Sequence, residues 1–320
     1  MTRRVLVTGG FGYLGGRIAV GIARDASRLV RLASRRRCDP PEWLPEAETV
    51  SLDVLRPDTL PAVLDGVQTV VHLAAVNEIE SLVDPGKALL VNSLGSLHLL
   101  EAAIRAGVER FIYFSTAHVY GAPLAGHITE RSLPRPTHPY AITHHAAEQF
   151  VLAAHGKGNI LGIVVRLSNG FGAPTHAAVD RWTLLVNDLC GQAVQHKTLT
   201  LRSNGLQQRD FITLHDVSRA VCHFLDLPPA DCADGLFNLG GECAMTVWEM
   251  AQRVGRCCRD TLGYLPEITR PVPEPHENSA SLLYDITKLK RTQFFINGDM
   301  DTEIANTLKM CAAVQQGRRA

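Results

Sequence analysis

The chain is expected to fold as an α/β protein built on a doubly wound parallel sheet, and three observations carry that expectation. Short apolar runs alternate with helical patterns through the first 120 residues. A glycine-rich turn joins the first run to the first helix. Across 320 residues, 46% are hydrophobic and 20% charged, enough for a large core without disulfide or metal staples.

Taken in order, Arg4-Val5-Leu6-Val7-Thr8 reads as a strand and Gly15 to Ala23 as a helix. Arg28 to Ala33 is a second strand, and Ser51-Leu52 ends a third. Thr69 to Leu73 is another, and Arg110 to Phe114 another still. Ala88 to Ala106 reads as a helix with an apolar face at Leu90, Leu94, Leu97 and Leu100. Strands separated by helices imply parallel βαβ units with both sheet faces covered. After a proline-marked loop at Pro134, Pro136 and Pro139, a helix runs from about Tyr140 to Ala154, and Ile160 to Leu167 is a further strand. Beyond Gly170 the pattern loosens. This predicts a dinucleotide domain over 1–168 with returning segments near 205–240. A smaller, interleaved C-terminal α/β substrate domain is expected from 169–204 and 241–320.

The 32 Lys and Arg balance 32 Asp and Glu, which argues against a general nucleic-acid binder. No stretch of about 18 apolar residues is present to span a bilayer, so no membrane partner is expected. The N-terminus enters the first strand without a signal-peptide pattern. The eight cysteines form no C-x-x-C pair and read as reduced thiols, predicting a cytoplasmic protein. Adjacent helical residues such as His144 and His145 do not converge on one ion, so no metal site is expected.

Thr8-Gly9-Gly10-Phe11-Gly12-Tyr13-Leu14-Gly15 places Gly9, Gly12 and Gly15 at G-x-x-G-x-x-G spacing between strand and helix. Glycines there permit positive φ, close approach of backbone to ligand and tight helix–strand packing. The helix N-terminus then faces a pyrophosphate. Dinucleotide binding is the reading. At the end of the second strand a carboxylate would accept the ribose 2′-hydroxyl of NAD. The chain instead has Ser34-Arg35-Arg36-Arg37, which suits a 2′-phosphate and predicts NADP(H) over NAD(H). A solvated charge run is the alternative. Asp53, beside Val54, is a candidate acceptor for the adenine amino group, with a helix N-cap as the competing role.

The chain resembles the extended short-chain dehydrogenase/reductases, the Rossmann-type family of nucleotide-sugar epimerases, dehydratases and ketoreductases. The resemblance runs through the glycine loop, His72-Leu73-Ala74-Ala75, Asn92 with Gly95, Phe114-Ser-Thr-Ala-His-Val-Tyr-Gly121 and Pro139-Tyr140. It continues through Arg166-Leu-Ser-Asn169-Gly-Phe-Gly172, Arg209-Asp-Phe-Ile212, Asp216-Val217, Phe237-Asn-Leu-Gly-Gly241 and Asp285-Ile-Thr-Lys288. It implies cofactor contacts from Gly9, Gly12, Tyr13, Leu14, Gly15, Leu73, Ala74, Ala75 and Asn92. It also implies a Tyr140 phenol that exchanges a proton with substrate, with the Thr116 hydroxyl on the same oxygen. Four residues after Tyr140 the family carries Lys, which binds the nicotinamide ribose and lowers the phenol pKa. This chain carries His144. Three readings follow from that departure: a working variant, which is preferred, a slower enzyme tuned to lower pH, or a fold that has lost chemistry.

Family dehydratases place Asp-Glu directly after the Thr, and here Ala117-His118 stands there, so elimination of water is not expected. His118 is either a substrate contact or an exposed polar residue. Asn169 and Arg209 match positions that hold the nucleotide diphosphate, with an Arg209–Asp210 ion pair as the alternative, and Arg270 is a further candidate. The preferred function is NADPH-dependent reduction of a nucleoside-diphosphate 4-keto-(6-deoxy)hexose, with Tyr140 as proton donor. An NAD-dependent epimerase and a non-catalytic NADP-binding protein are the alternatives. By resemblance, two helices per subunit pack into a homodimer.

Overall fold

The computed structural model describes residues 2–36, 38–274 and 280–317. Arg37, the last of the arginine run, lies outside them. Five strands come first: β1 (Arg3–Thr8), β2 (Arg28–Ser34), β3 (Glu48–Ser51), β4 (Thr69–His72) and β5 (Arg110–Thr116). They are followed by β6 (Gly126–Ile128), β7 (Leu161–Leu167), β8 (Asn169–Phe171), β9 (Thr198–Thr200), β10 (Gln208–Thr213) and β11 (Leu236–Leu239). Seven of these form one sheet in the order β11-β7-β5-β4-β1-β2-β3, with every neighbour parallel. The chain winds outward in one direction from β1 through β2 and β3, then returns to β4 on the other side. That reversal opens a crevice beyond the carboxyl ends of β1 and β4.

Both faces of the sheet are buried, so the strands read as unbroken apolar runs. In β5, Ile112 and Phe114 face one cluster while Phe111 and Tyr113 face the other, the period of two expected of a strand. The first layer is closed by α1 (Tyr13–Ala23), the second by the short α2 (Leu60–Val63). Next come α3 (Glu78–Val83) and α4 (Pro85–Ala88), which leads into a π-helical segment, Leu89–Gly95, and then α5 (Ser96–Arg105). The long α6 (Pro139–Gly156) completes the second layer, and α7 (Leu185–His196) precedes α8 (Leu214–Asp226), which packs against α1. Pro139 occupies the first position of α6, where its missing N–H costs nothing, and the His138 side chain accepts from the Tyr140 N–H.

Where the sequence suggests one regular helix over 88–106, the structure has the π segment. Asn92, Ser93, Gly95 and Ser96 face inward, and Leu89, Leu90 and Leu94 face out. Of the expected apolar face, Leu90 and Leu94 therefore lie outside the core, while Leu100 on α5 is buried in the second cluster. Asn92 Nδ2 donates to the Thr143 hydroxyl and Ser93 Oγ to the Thr143 carbonyl. These polar anchors, made across to α6, hold the segment in this orientation.

A third cluster is built from α7, from α9 (Val247–Leu262), which a Thr246/Glu249 capping box starts, and from the last helix, which follows the short α10 (Thr287–Arg291) and is α11 (Met300–Gly317). Small sheets flank it. β10 pairs with β8 and with β12 (Ala244–Thr246), β9 with β13 (Glu267–Thr269), and β6 with β14 (Leu282–Tyr284). Ile286, Leu289 and Phe294 pack into the first cluster instead, so the C-terminal segment returns to the main sheet. No helix among the described residues is long and apolar enough to cross a membrane.

Candidate active site

The crevice holds a cleft of about 760 Å³ whose wall includes the glycine turn, the ends of β4 and β5, the start of α6 and the segment after β8. Gly9 adopts φ +65°, and a Cβ on Gly15 would lie 2.1 Å from the Gly9 carbonyl oxygen. Only glycine fits at both positions. α1 begins with no side-chain cap and no acidic residue in its first turn, so its first N–H groups and positive end face the cleft uncompensated.

Beneath the turn, the Thr8 hydroxyl accepts from the N–H groups of Leu73 and Ala74, both at 3.1 Å, and lies 2.6 Å from His72 Nδ1. His72 Nε2 lies 2.9 Å from Ser96 Oγ, which itself donates to the Asn92 carbonyl. Burial lowers the His72 pKa to about 3, and His144 adds to the effect. This neutral chain of hydrogen bonds ties β1 to β4 and so fixes Leu73, Ala74 and Ala75 along the cleft.

Thr116, Tyr140 and His144 line the same cleft. Thr116 Oγ1 accepts from the His118 N–H at 3.2 Å. The rings of Tyr140 and His144 lie 4.4 Å apart, centroid to centroid, because four residues along a helix return to one face. His144 is 3% exposed. Burial lowers its pKa to about 4, with the Phe114 backbone opposing. The imidazole is therefore uncharged at neutral pH, whereas the unperturbed value leaves a minority charged. Tyr140 is raised to about 12, first by burial and then by Glu78, with Arg181 opposing. Arg181 is itself bound to Glu78 at 3.1 Å across the cleft wall.

Four buried side-chain atoms among the described residues lack a hydrogen-bond partner, and two of them, Ser115 Oγ and His144 Nε2, belong to residues of this wall. Orphaned polar atoms in a cleft mark places where a ligand completes the pairing. Together with the uncapped α1 and the Gly9–Gly15 cradle, they fit a dinucleotide. Its pyrophosphate would sit at the turn and its nicotinamide ribose at His144.

Other expected site residues are placed differently. Asn92 does not line the cleft, because its amide exchanges hydrogen bonds with the Val76 backbone and reaches Thr143. It holds the β4 loop to α6. Asp53 accepts from the Leu55 N–H in a local turn, and buried Val54 packs where a Gly95 Cβ would stand. The helical turn that follows Asp53 is capped by Arg56, so Asp53 is not its N-cap. Ser34 accepts from the Arg36 N–H, and Arg35 and Arg36 are exposed, with no carboxylate at ion-pair distance among the described residues. These five lie beyond the cleft's wall, at the ends of β2 and β3.

Asn169, His118 and Arg209 line the cleft. Arg209 is not paired with Asp210, whose carboxylate instead accepts from Ser168 Oγ and the N–H groups of Gly241 and Cys243. Burial lowers the Arg209 pKa. His118 is exposed while lining the cleft, and its pKa is likewise lowered, by desolvation and then by Arg209. Arg270 stacks on Trp248 at 3.9 Å and donates to the Asn204 carbonyl, outside the cleft. Ser115, Glu78 and Arg181 were not expected. Ser115 was signalled only by its neighbour Thr116, and nothing in the sequence pairs residues as distant as 78 and 181.

Comparison with known proteins agrees with this architecture. Residues 5–240 match the model of the NAD dependent epimerase/dehydratase family. The chain is 27% identical over 270 residues to a dTDP-D-glucose 4,6-dehydratase of Mus musculus, covering 81% of this chain and 74% of that protein. It is 27% identical over 281 residues to a UDP-glucose 4-epimerase of Rhizobium leguminosarum bv. trifolii, covering 84% and 83%. Among solved structures it is similar to MoeE5 in complex with UDP-glucose and NAD, with TM-score 0.76, 26% identity and coverage of 98% and 99%.

Proposed function

Since the chain belongs to the NAD dependent epimerase/dehydratase family, a family of nucleotide-sugar enzymes, we propose that it reduces the keto group of a nucleoside-diphosphate 4-keto-(6-deoxy)hexose. Tyr140 is the proton donor. The observation that carries this reading is the buried, uncharged His144 against Tyr140. With Arg181 held by Glu78, the phenol keeps its proton up to about pH 12. A phenol in that state is a poor base for removing a hydroxyl proton. It is a ready acid for an oxygen that becomes an alkoxide.

When bound, a reduced nicotinamide dinucleotide supplies the hydride. Tyr140 gives its proton to the carbonyl oxygen, and the Thr116 hydroxyl hydrogen-bonds the same oxygen and orients it. His144, whose Nε2 has no partner within the protein, would hold the dinucleotide's ribose. Arg209, desolvated and without a carboxylate partner among the described residues, takes the substrate diphosphate, with Asn169 and His118 on the same wall. Ala117 and His118 occupy the positions where an eliminating enzyme of the family has its acid and base, so water elimination is not part of the reading.

The preferred cofactor is NADP(H). Ser34, Arg35 and Arg36 at the end of β2 include no carboxylate to repel a 2′-phosphate. A second copy of the chain is the proposed partner. Leu89 is 54% exposed and Phe150 43%, and Leu90, Leu94 and Ile142 lie exposed on the same two adjoining segments, an apolar surface suited to a symmetric dimer.

The test is a fluorescence titration of cofactor-free protein with NADPH and NADH in one buffer, followed by turnover of nucleoside-diphosphate keto-sugars. Tighter NADPH binding and stoichiometric oxidation of the dinucleotide are expected. Tight NADH binding with no net oxidation would replace this reading with the epimerase.

A further inference from the structure

The Tyr113 hydroxyl lies 2.8 Å from His144 Nδ1, both groups fully enclosed between β5 and α6. Tyr113 does not line the cleft; it sits on the opposite side of the imidazole from the unpartnered Nε2. A neutral imidazole carries one proton, on one nitrogen or the other, and the partner of Nδ1 decides which. A phenol has a single proton to give. The other hydroxyl beside Tyr113, Ser96, spends its own proton on the Asn92 carbonyl at 2.6 Å and meets His72 Nε2 at 2.9 Å, whereas the phenol's close contact is with His144 Nδ1. Donation from the Tyr113 hydroxyl to His144 Nδ1 satisfies both groups and leaves the ring's own proton on Nε2, the nitrogen without a partner on a residue that lines the cleft.

We propose that Tyr113 is a positioning residue that fixes His144 in its Nε2–H tautomer, so that an uncharged side chain presents a hydrogen-bond donor to the ligand's ribose oxygens. An unfixed imidazole divides its proton between two nitrogens and presents a donor only part of the time. The surroundings hold the pair neutral. Tyr140 and Glu148 approach from α6, His72 from β4, and the Glu148 charge is tied to Arg166. The inference rests on the reading of His144 as the group that meets the dinucleotide.

Long-range 1H–15N spectra of histidine-labelled, cofactor-free full-length protein at pH 7.5 test it without substrate, the His144 signals being assigned by their loss in His144→Lys. A neutral Nε2–H pattern is expected, and an Nδ1–H pattern or an imidazolium overturns the proposal. In Tyr113→Phe, His144 should become a tautomer mixture, and the dinucleotide that wild-type protein binds best should bind about five- to tenfold more weakly. A lysine side chain has no tautomer to fix, so the same Phe substitution in a His144→Lys background should change binding less than about twofold. Equal weakening in both backgrounds would mark Tyr113 as structural only and overturn the proposal. Should Tyr113→Phe fail to fold, the wild-type spectrum still decides. Keto-sugar turnover enters neither arm, so failure of the proposed reaction is separable from failure of this inference.

Discussion

Replacing His144 by Lys puts a cation beside Tyr140 and should move its phenol by about two pKa units. The two rings are 4.4 Å apart, so an ammonium in place of the imidazole stands about 5 Å from the phenolic oxygen. At an effective dielectric of about 20 the attraction between that ammonium and a phenolate is ~3 kcal/mol. At about 1.4 kcal/mol per unit, the pKa falls by about two, from about 12 to near 10. At any pH below both values the phenolate population rises roughly a hundredfold. Tyrosinate absorbance followed through alkaline titration measures this, with Tyr140→Phe subtracted to isolate the one residue. The kinetic counterpart is the pH–rate profile, whose phenol limb should move down by the same two units, with oxidation and reduction changing together because the overall equilibrium fixes the ratio of their kcat/KM values. If bulk water screened the cleft, the same Coulomb energy would be about 0.8 kcal/mol and the shift only about half a unit. A shift no larger than that refutes the claim that the missing charge leaves the phenol protonated. Complete loss of turnover would show that His144 performs a task Lys cannot.

Three further outcomes are expected. Glu148 and Arg166 pair at 2.7 Å with side chains 0% and 2% exposed, so Glu148→Ala strands a guanidinium and should cost about 3–5 kcal/mol in urea unfolding. Joint replacement by Leu and Met should recover most of that. His72 and His144 titrate at about 3 and about 4 in the folded protein and near 6.5 when unfolded. The unfolded chain therefore binds up to two more protons as pH falls from about 6.5 towards 4, and these two groups alone lower stability by at most roughly 2–3 kcal/mol per pH unit, steepest near the middle of that window. Urea midpoints across pH 7.5 to 4.5 should show the loss, and His144→Asn should remove about half of this contribution. Phe150→Glu, on the exposed face of α6, should convert a dimer to monomers in sedimentation, and an unchanged mass would place the interface elsewhere.

Much of the site was legible because it depends on short spacings. The glycine turn is a local device, and Tyr140 and His144 share a helix face through their separation of four. Thr116 could be counted back from Val119-Tyr120-Gly121. The strands read correctly because a sheet covered on both faces needs apolar side chains pointing both ways. Arg209 was legible as a cation but not its lack of a carboxylate. Asp210 is drawn away by Ser168 and by backbone groups at 241 and 243, contacts that only the folded chain makes.

By itself, the sequence determined the α/β winding, the glycine turn and the placing of His144 on the same helix face as Tyr140, since these follow from periodicity and residue identity at fixed local spacing. Tertiary structure decided which face of the 89–96 segment is inside, because polar partners on α6 outweigh an apolar stripe. It brought Glu78 to Arg181 and Tyr113 to His144. It also decided the charge of His144, for an imidazole's proton affinity depends on the water it loses and the groups that enclose it, and neither is written in the residues next to it along the chain.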